Sequence, residues 1–190
     1  YNKEPVRAKI SYVNGDSYEG QIKNSKPFGG GVFTKRNGDT FVGKFKNKIV
    51  LTGHFKVHYA EKNIDYEGKI ANGVPNGNGR ETSADKTVYL GGFKNGLYNG
   101  TGSLLDANNV GHSGKFKDGK IVKVIGIYYG KRRDYRGETR GLKRHGKGTY
   151  HYDEYIIQGN FVDDVLVGKA TVSSVWRNFE VTGEFNGFKN

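Results

Sequence analysis

A five-residue phrase, aromatic–any–Gly–any–apolar, returns along this chain at a nearly constant interval, and that periodicity constrains the fold more than any other property. It reads Tyr18-Glu19-Gly20-Gln21-Ile22, then Phe41-Val42-Gly43-Lys44-Phe45, Tyr66-Glu67-Gly68-Lys69-Ile70 and Tyr89-Leu90-Gly91-Gly92-Phe93. Looser copies follow from His112, Tyr135, Ile157 and Val181, so successive starts lie 22 to 25 residues apart. Eleven and thirteen residues after the aromatic come paired glycines: Gly29/Gly31, Gly77/Gly79, Gly100/Gly102 and Gly146/Gly148. Asn37-Gly38-Asp39 precedes Phe41, and Asn14-Gly15-Asp16 precedes Tyr18 at the same distance. Residues 1–17 therefore read as the second half of a repeat whose first half lies upstream, and the chain is expected to be a fragment of a longer one. A period of this length marks stacked supersecondary units that share one core.

Each unit reads as a β-hairpin. Tyr66, Gly68 and Ile70 are two apart and share one face of a strand, while Glu67 and Lys69 point to the other. Asn-Gly supplies tight hairpin turns. Gly77 and Gly79 are expected to share a face of the returning strand, with rings of one strand lying over glycines of the next. Composition agrees: 30 Gly, 13 Tyr and 11 Phe with only 3 Pro point to β-structure rich in turns, and exclude an all-helical or collagen-like chain. The expected fold is all-β, an elongated single-layer antiparallel meander of about 15 short strands. Residues 1–190 form a single array in this reading, with the half repeat 1–17 and repeats starting near 18, 41, 66, 89, 112, 135, 157 and 181. Such a layer is expected to leave an aromatic face uncovered.

The segments Tyr66–Gly79 and Tyr89–Gly102 resemble the MORN (membrane occupation and recognition nexus) repeat, Tyr-x-Gly-x-aromatic-x-x-Gly-x-x-x-Gly-x-Gly, with Ile70 standing for the aromatic in the first. The resemblance covers nearly the whole chain. It departs at Lys123 and Ile125, which take the glycine-pair positions of the repeat from His112, and in the repeat from Phe41, which has Lys48 and a single Gly53. By resemblance, such arrays are non-enzymatic scaffolds for protein assembly at membrane–cytoskeleton structures, often as homodimers. Some stand beside catalytic domains such as lipid kinases or SET-type methyltransferases, so a regulatory role in a larger enzyme is a further implication.

No pattern for catalysis stands out. Gly141-Leu142-Lys143-Arg144-His145-Gly146-Lys147-Gly148 comes within one position of a phosphate-binding loop. Thr149-Tyr150-His151-Tyr152 then continues as a strand, where that loop requires a helix. His54 and His58 are about 13 Å apart along a strand and do not converge on a metal. Asp153-Glu154 and Asp163-Asp164, as neighbours on strands, would face apart rather than form an acid–base dyad. No cofactor and no metal are expected. Cysteine is absent, which leaves no disulfide framework or thiolate site and favours a cytoplasmic setting; a place peripheral to membrane or cytoskeleton is what the resemblance implies.

Charge narrows the partners. The chain carries +12, and residues 112–134 alone hold seven basic against two acidic side chains. An anionic partner is the implication. Lys115, Lys117, Lys120, Lys123, Lys131, Arg132, Arg133 and Arg136 are the candidates for contact with anionic lipid or another anion. Gly130 and Asp134 suggest a turn that splays the 131–133 cluster toward one plane. Tyr18, Phe41, Tyr66, Tyr89, Phe93, Phe116 and Tyr135 are the candidate partner-binding face, for a second copy of the chain or for a peptide or helix of another protein. Rings beside basic residues also suit single-stranded nucleic acid, but here the repeat itself requires the rings, which argues against that reading.

Overall fold

The computed structural model describes residues 5–46, 51–130, 133–174 and 176–188. Among them every regular element is a strand: β1 (Val6–Ser11), β2 (Ser17–Lys23), β3 (Lys26–Thr34), β4 (Thr40–Lys46), β5 (Gly53–Tyr59), β6 (Ile64–Ala71), β7 (Val74–Thr82) and β8 (Val88–Lys94). The series continues through β9 (Leu97–Leu105), β10 (Val110–Lys117), β11 (Lys120–Tyr129), β12 (Arg133–Arg140), β13 (Lys143–Tyr152), β14 (Tyr155–Val162), β15 (Val165–Ser174) and β16 (Phe179–Phe188). They form one open sheet in sequence order. The half repeat contributes β1, each of seven repeats contributes a hairpin, and the last start adds β16, which makes sixteen strands rather than fifteen. By compactness the chain divides into residues 1–99 and 100–190.

The turns follow their sequences. Asn72-Gly73, Asn95-Gly96 and Asp118-Gly119 each take positive φ at both residues, the twist that two-residue hairpins need. Asn24-Ser25 and Asp163-Asp164 do the same without glycine.

Within residues 1–99 the strands bend sharply. Tyr59 pairs with Ile64 at one end of the β5–β6 hairpin, yet its hydroxyl donates to the carbonyl of Gly73, beyond the other end, at 3.0 Å. Nine residues of straight strand span about 30 Å, far beyond the reach of one side chain, so β6 folds back on itself. The bend sits at the repeated phrase. Tyr66 lays its ring over Gly68 and Gly79, where an added Cβ would come within 2.3–2.6 Å of its ring or hydroxyl atoms, and its hydroxyl donates to the carbonyl of Lys69 at 2.7 Å. Tyr18 repeats this over Gly20 and Gly31, donating to Gln21. Phe41 has no hydroxyl to make that bond, and Gly43 is roofed instead by the Phe55 ring.

Residues 100–190 use the same device. Tyr135 lies over Gly137 and Gly148 and donates to the Glu138 carbonyl at 2.7 Å. Its core gathers Val124, Ile127, Tyr135, Tyr150, Ile157, Phe161, Leu166 and Ala170. In the repeat from Ile157 the ring is replaced by a smaller side chain, and Ala170 stands where the repeats from Tyr18, Tyr66, Tyr89 and Tyr135 carry the second glycine.

The two glycines of each pair do different work. Beyond the pairing of Gly68 with Gly79, the register jumps to Ile70 with Pro75, leaving Asn76, Gly77 and Asn78 bulged opposite Lys69. Gly77 sits in that bulge at φ +104°, so it does not share a strand face with Gly79 as alternation predicts. Gly29, Gly100, Gly146 and Gly168 fill the corresponding position, eleven residues after the phrase begins, with φ between +64° and +88°. Left-handed backbone is cheap only for glycine.

Candidate functional site

One departure from that glycine rule opens the sheet. Where the eleventh-position glycine is left-handed, the returning strand pairs along its length with the first strand of the next repeat. β3 meets β4 from Phe28 opposite Lys46 to Thr34 opposite Thr40, and β13 meets β14 from Gly146 opposite Phe161 to Tyr152 opposite Tyr155. In β11 the position is Lys123, which is not among the residues of positive φ. The described pairing of β11 with β12 is confined to Gly126–Arg136, Ile127–Tyr135 and Tyr128–Asp134. Past Arg136, β12 bends away under Tyr135 while β11 does not follow. The backbone groups of Ile121–Ile125 that face β12 are left outside the ladder, an edge within the sheet's interior.

The cleft so formed has a volume of about 1000 Å³ and is walled by Ile121, Val122, Val124, Ile125 and Leu142, with Lys123, Arg136 and Lys147 among the polar residues lining it. Two bulges shape its floor. Against β10, Phe116 opposes Ile121 and Lys115 opposes Lys123, so Val122 is extra; Gly114 opposes Val124 and Ser113 opposes Gly126, so Ile125 is extra. Both bulged residues are apolar and exposed, 62% for Val122 and 48% for Ile125, and Leu142 on the β12–β13 turn is 52% exposed. Glu138, the acid of the lining, accepts from the Lys147 amide at 3.4 Å and reaches over Gly146, so its carboxylate is turned to the β13 bulge.

The outer lip is basic. Lys115 faces Lys123 and Lys117 faces Lys120 across the β10–β11 ladder, which places all four on one face of the hairpin, opposite buried Phe116. Like charges in directly facing pairs destabilise a sheet. Among the described ion pairs none involves these four lysines. Arg136 stands across the cleft, 3.4 Å from Asp134 and largely exposed. Arg133 is drawn aside: its guanidinium lies 4.4 Å over the Tyr152 ring and donates to the Tyr152 hydroxyl. Lys131 and Arg132 lie outside the described residues.

The seven candidate rings are placed differently from an uncovered row. Tyr18, Phe41, Tyr66, Tyr89, Phe93, Phe116 and Tyr135 are all between 0% and 4% exposed. Curvature is the cause, together with cover from the next repeat: Phe45 packs edge-on against Tyr18 at 5.1 Å, Phe93 against Tyr66 at 5.1 Å and Phe161 against Tyr135 at 5.2 Å. The rings build the bend, and the exposed apolar side chains lie elsewhere, Val122, Ile125 and Leu142 among them.

Polar residues also occupy core positions. Glu81 stands opposite both Tyr66 and Tyr89, is 9% exposed and accepts from the Tyr98 hydroxyl at 2.6 Å. Burial pushes its carboxyl above the usual range, against the Tyr98 bond and the charge of Lys62. The Tyr66 hydroxyl beside it is pushed up to about 12 by burial and by Glu81. Arg144 is buried among Tyr129, Tyr150 and Phe161, with its centre 4.4 Å above the Tyr150 ring. It donates to the carbonyl of Asp164 at 2.8 Å and lies 3.3 Å from that carboxylate. Asp163 and Asp164 lie on a turn rather than a strand, and they engage Arg140 and Arg144 separately. The glycine-rich stretch 141–148 is a turn and the strand β13, so the phosphate-loop geometry is absent there. Among the described residues no group of three or more His, Asp or Glu is placed to hold a metal ion.

An open sheet of bent β-hairpins, roofed at Tyr18, Tyr66 and Tyr135 by the aromatic of the phrase itself and covered there by a ring of the next repeat, defines a β-hairpin repeat protein. The MORN repeat family model matches residues 18–40, 66–88, 89–110 and 143–154. The chain is a MORN repeat protein. Among solved structures, the SAS-4 (dCPAP) TCP domain of Drosophila melanogaster, in complex with a proline-rich motif of Ana2 (dSTIL), is similar in fold. The match has a TM-score of 0.50 at 9% identity and covers 94% of this chain and 90% of that one. No curated protein sequence matches the chain.

Proposed function

We propose that the chain is a non-enzymatic protein-interaction module, a scaffold whose docking site is the cleft between β11 and β12. The observation that carries this reading is the parting of two adjacent strands just where Val122, Ile125 and Leu142 are exposed. An extended segment of a partner finds unpaired backbone groups and apolar walls there, the two ingredients of strand addition to a sheet. MORN repeats are a non-catalytic module, and a sheet of similar fold is solved with a peptide motif of another protein bound. In this reading the module works at a membrane or cytoskeletal surface. Display of random ten-residue peptides against the whole chain tests it. Enriched peptides should lose binding to a Val122→Asp, Leu142→Asp double variant whose melting is unchanged. Enrichment of no peptide, or peptides indifferent to both substitutions, refutes the docking site.

Lys115, Lys117, Lys120 and Lys123 favour one second reading, contact of this hairpin face with anionic phospholipid. Each basic residue near such a surface contributes on the order of 1 kcal/mol, within a Debye length of about 8 Å.

A further inference from the structure

The geometry points to the occupant of the β11–β12 cleft: a short extended segment of a partner protein in which acidic and apolar side chains alternate. The inference rests on the docking reading above and names the chemistry of the ligand.

Strand alternation transmits the two lips of the cleft to whatever lies between them. On β11, Lys123 points outward with its ladder partner Lys115, while Ile121 and Val124 point inward with Phe116 and Gly114. On β12, Arg136 and Glu138 are on the outer side and Gly137 and Thr139 on the inner side, next to inward-facing Tyr135. A strand added to β11 therefore sends every second side chain outward, between Lys123 and Arg136, with Lys147 beyond. The intervening side chains go inward, against Ile121, Val124 and Thr139. Successive side chains of a regular strand alternate sides, so the register of charge and apolarity is imposed on the ligand. Valine or isoleucine suits the inner positions. Glutamate suits the outer ones.

Charge complementarity decides the sign. Glu138 is held against the β13 bulge by the Lys147 amide, which leaves Lys123, Arg136 and Lys147 as the charges lining the outer side of the cleft, with Asp134 3.4 Å from Arg136. The facing pairs Lys115–Lys123 and Lys117–Lys120 already repel within the hairpin, and a carboxylate set beside them converts that repulsion into attraction. A basic segment meets the opposite outcome at every outer position.

Four synthetic octapeptides test the inference on the whole chain by fluorescence anisotropy. One alternates glutamate and valine, one alternates lysine and valine, one carries the same four glutamates and four valines in two blocks, and one is the first peptide N-methylated at alternate amides. The alternating acidic peptide should bind at least tenfold tighter than each of the others, and more weakly as salt is raised. A Lys123→Glu, Arg136→Glu variant, both positions being solvent-exposed, should reverse the preference between the acidic and lysine peptides. Equal binding of those two by the parent chain, or no reversal in the double variant, overturns the inference and leaves the docking site standing. Equal binding of the blocked or N-methylated peptide overturns strand addition. If all four fail while displayed peptides still bind in a Val122- and Leu142-dependent way, the ligand chemistry is wrong and the site is right; if displayed peptides fail too, both fall.

Discussion

Replacing Gly148 with alanine sets a methyl group where the Tyr135 ring lies. The added Cβ would come 2.3–2.4 Å from the hydroxyl and ring atoms of Tyr135, more than about 1 Å inside ordinary carbon–carbon contact. The ring has nowhere to go: Tyr135 is fully buried, and its hydroxyl is held by the Glu138 carbonyl at 2.7 Å. Overpacking of this kind costs about 1–3 kcal/mol and a forfeited hydrogen bond about 1 more, so Gly148→Ala should destabilise by about 3 kcal/mol. For a chain of this size that is a fall in melting midpoint of roughly 6–12 °C. Gly168→Ala is the control, since its φ is +70° and nothing lies within 4 Å of the added methyl. Backbone strain alone should cost it about 1 kcal/mol. The next repeat suggests the rescue, because Ile157 and Ala170 occupy the places of Tyr135 and Gly148. Tyr135→Ile alone opens a cavity and should cost about 3 kcal/mol. Combined with Gly148→Ala, the new methyl fills vacated space, and the double variant should lose about 4 kcal/mol rather than the roughly 6 expected of independent sites. Urea unfolding followed by far-ultraviolet circular dichroism measures all four variants. A Gly148→Ala no costlier than Gly168→Ala, or a double variant additive within about 0.5 kcal/mol, refutes the account of ring over glycine.

Three further outcomes are expected. Glu81 keeps its proton to higher pH when folded than when unfolded, because burial raises its carboxyl; its share of stability is full below the unfolded carboxylate range and lost as pH rises through the folded value. Glu81→Gln should therefore melt with the parent near pH 4 and above it at pH 7.5, and a lower midpoint at pH 7.5 contradicts the assignment. Arg144→Leu strands Asp164 and removes the cation from the Tyr129, Tyr150 and Phe161 rings; a loss of about 1–2 kcal/mol is expected, given the part-exposed Asp164, with partial recovery on adding Asp164→Ser. If the lysine hairpin meets anionic lipid, sedimentation with phosphoinositide-containing vesicles should fall at least tenfold in a variant with Lys115, Lys117, Lys120 and Lys123 changed to serine, and equal pelleting of parent and variant excludes that second reading.

The fold was legible because period and chemistry agree at the same residues. Tyr66 and Gly79 announce a ring over a glycine of the next strand, and the structure places it so; that the same ring also covers Gly68 on its own strand, while Gly77 turns to Lys69, was not legible. What stayed hidden was curvature. Alternation alone describes a flat strand, and on a flat strand Tyr18, Tyr66 and Tyr89 would stand uncovered; the bulge at Gly77 and the bond from Tyr59 to Gly73 exist only in the bent one. The cleft was half legible. Lys123 and Ile125 declare themselves as departures from the glycine pair, but the emergence of Val122 and Ile125 from the ladder depends on the register between β10 and β11, which no spacing in the chain encodes. Glu81 and Arg144 carried no signal either, since each looks like an ordinary surface charge until its strand partners are known.

The short ladder between β11 and β12 also bears on how folding is shared along residues 100–190. In a linear array each hairpin is held by its immediate neighbours, and stability passes along as it does through a row of coupled spins. Every rung removed from one junction weakens the coupling there and nowhere else. With described rungs confined to Gly126–Arg136, Ile127–Tyr135 and Tyr128–Asp134, that junction is where a folding front is expected to pause. Hairpins on either side then melt as separate cooperative blocks, and a segment that completes the missing rungs would fuse them into one.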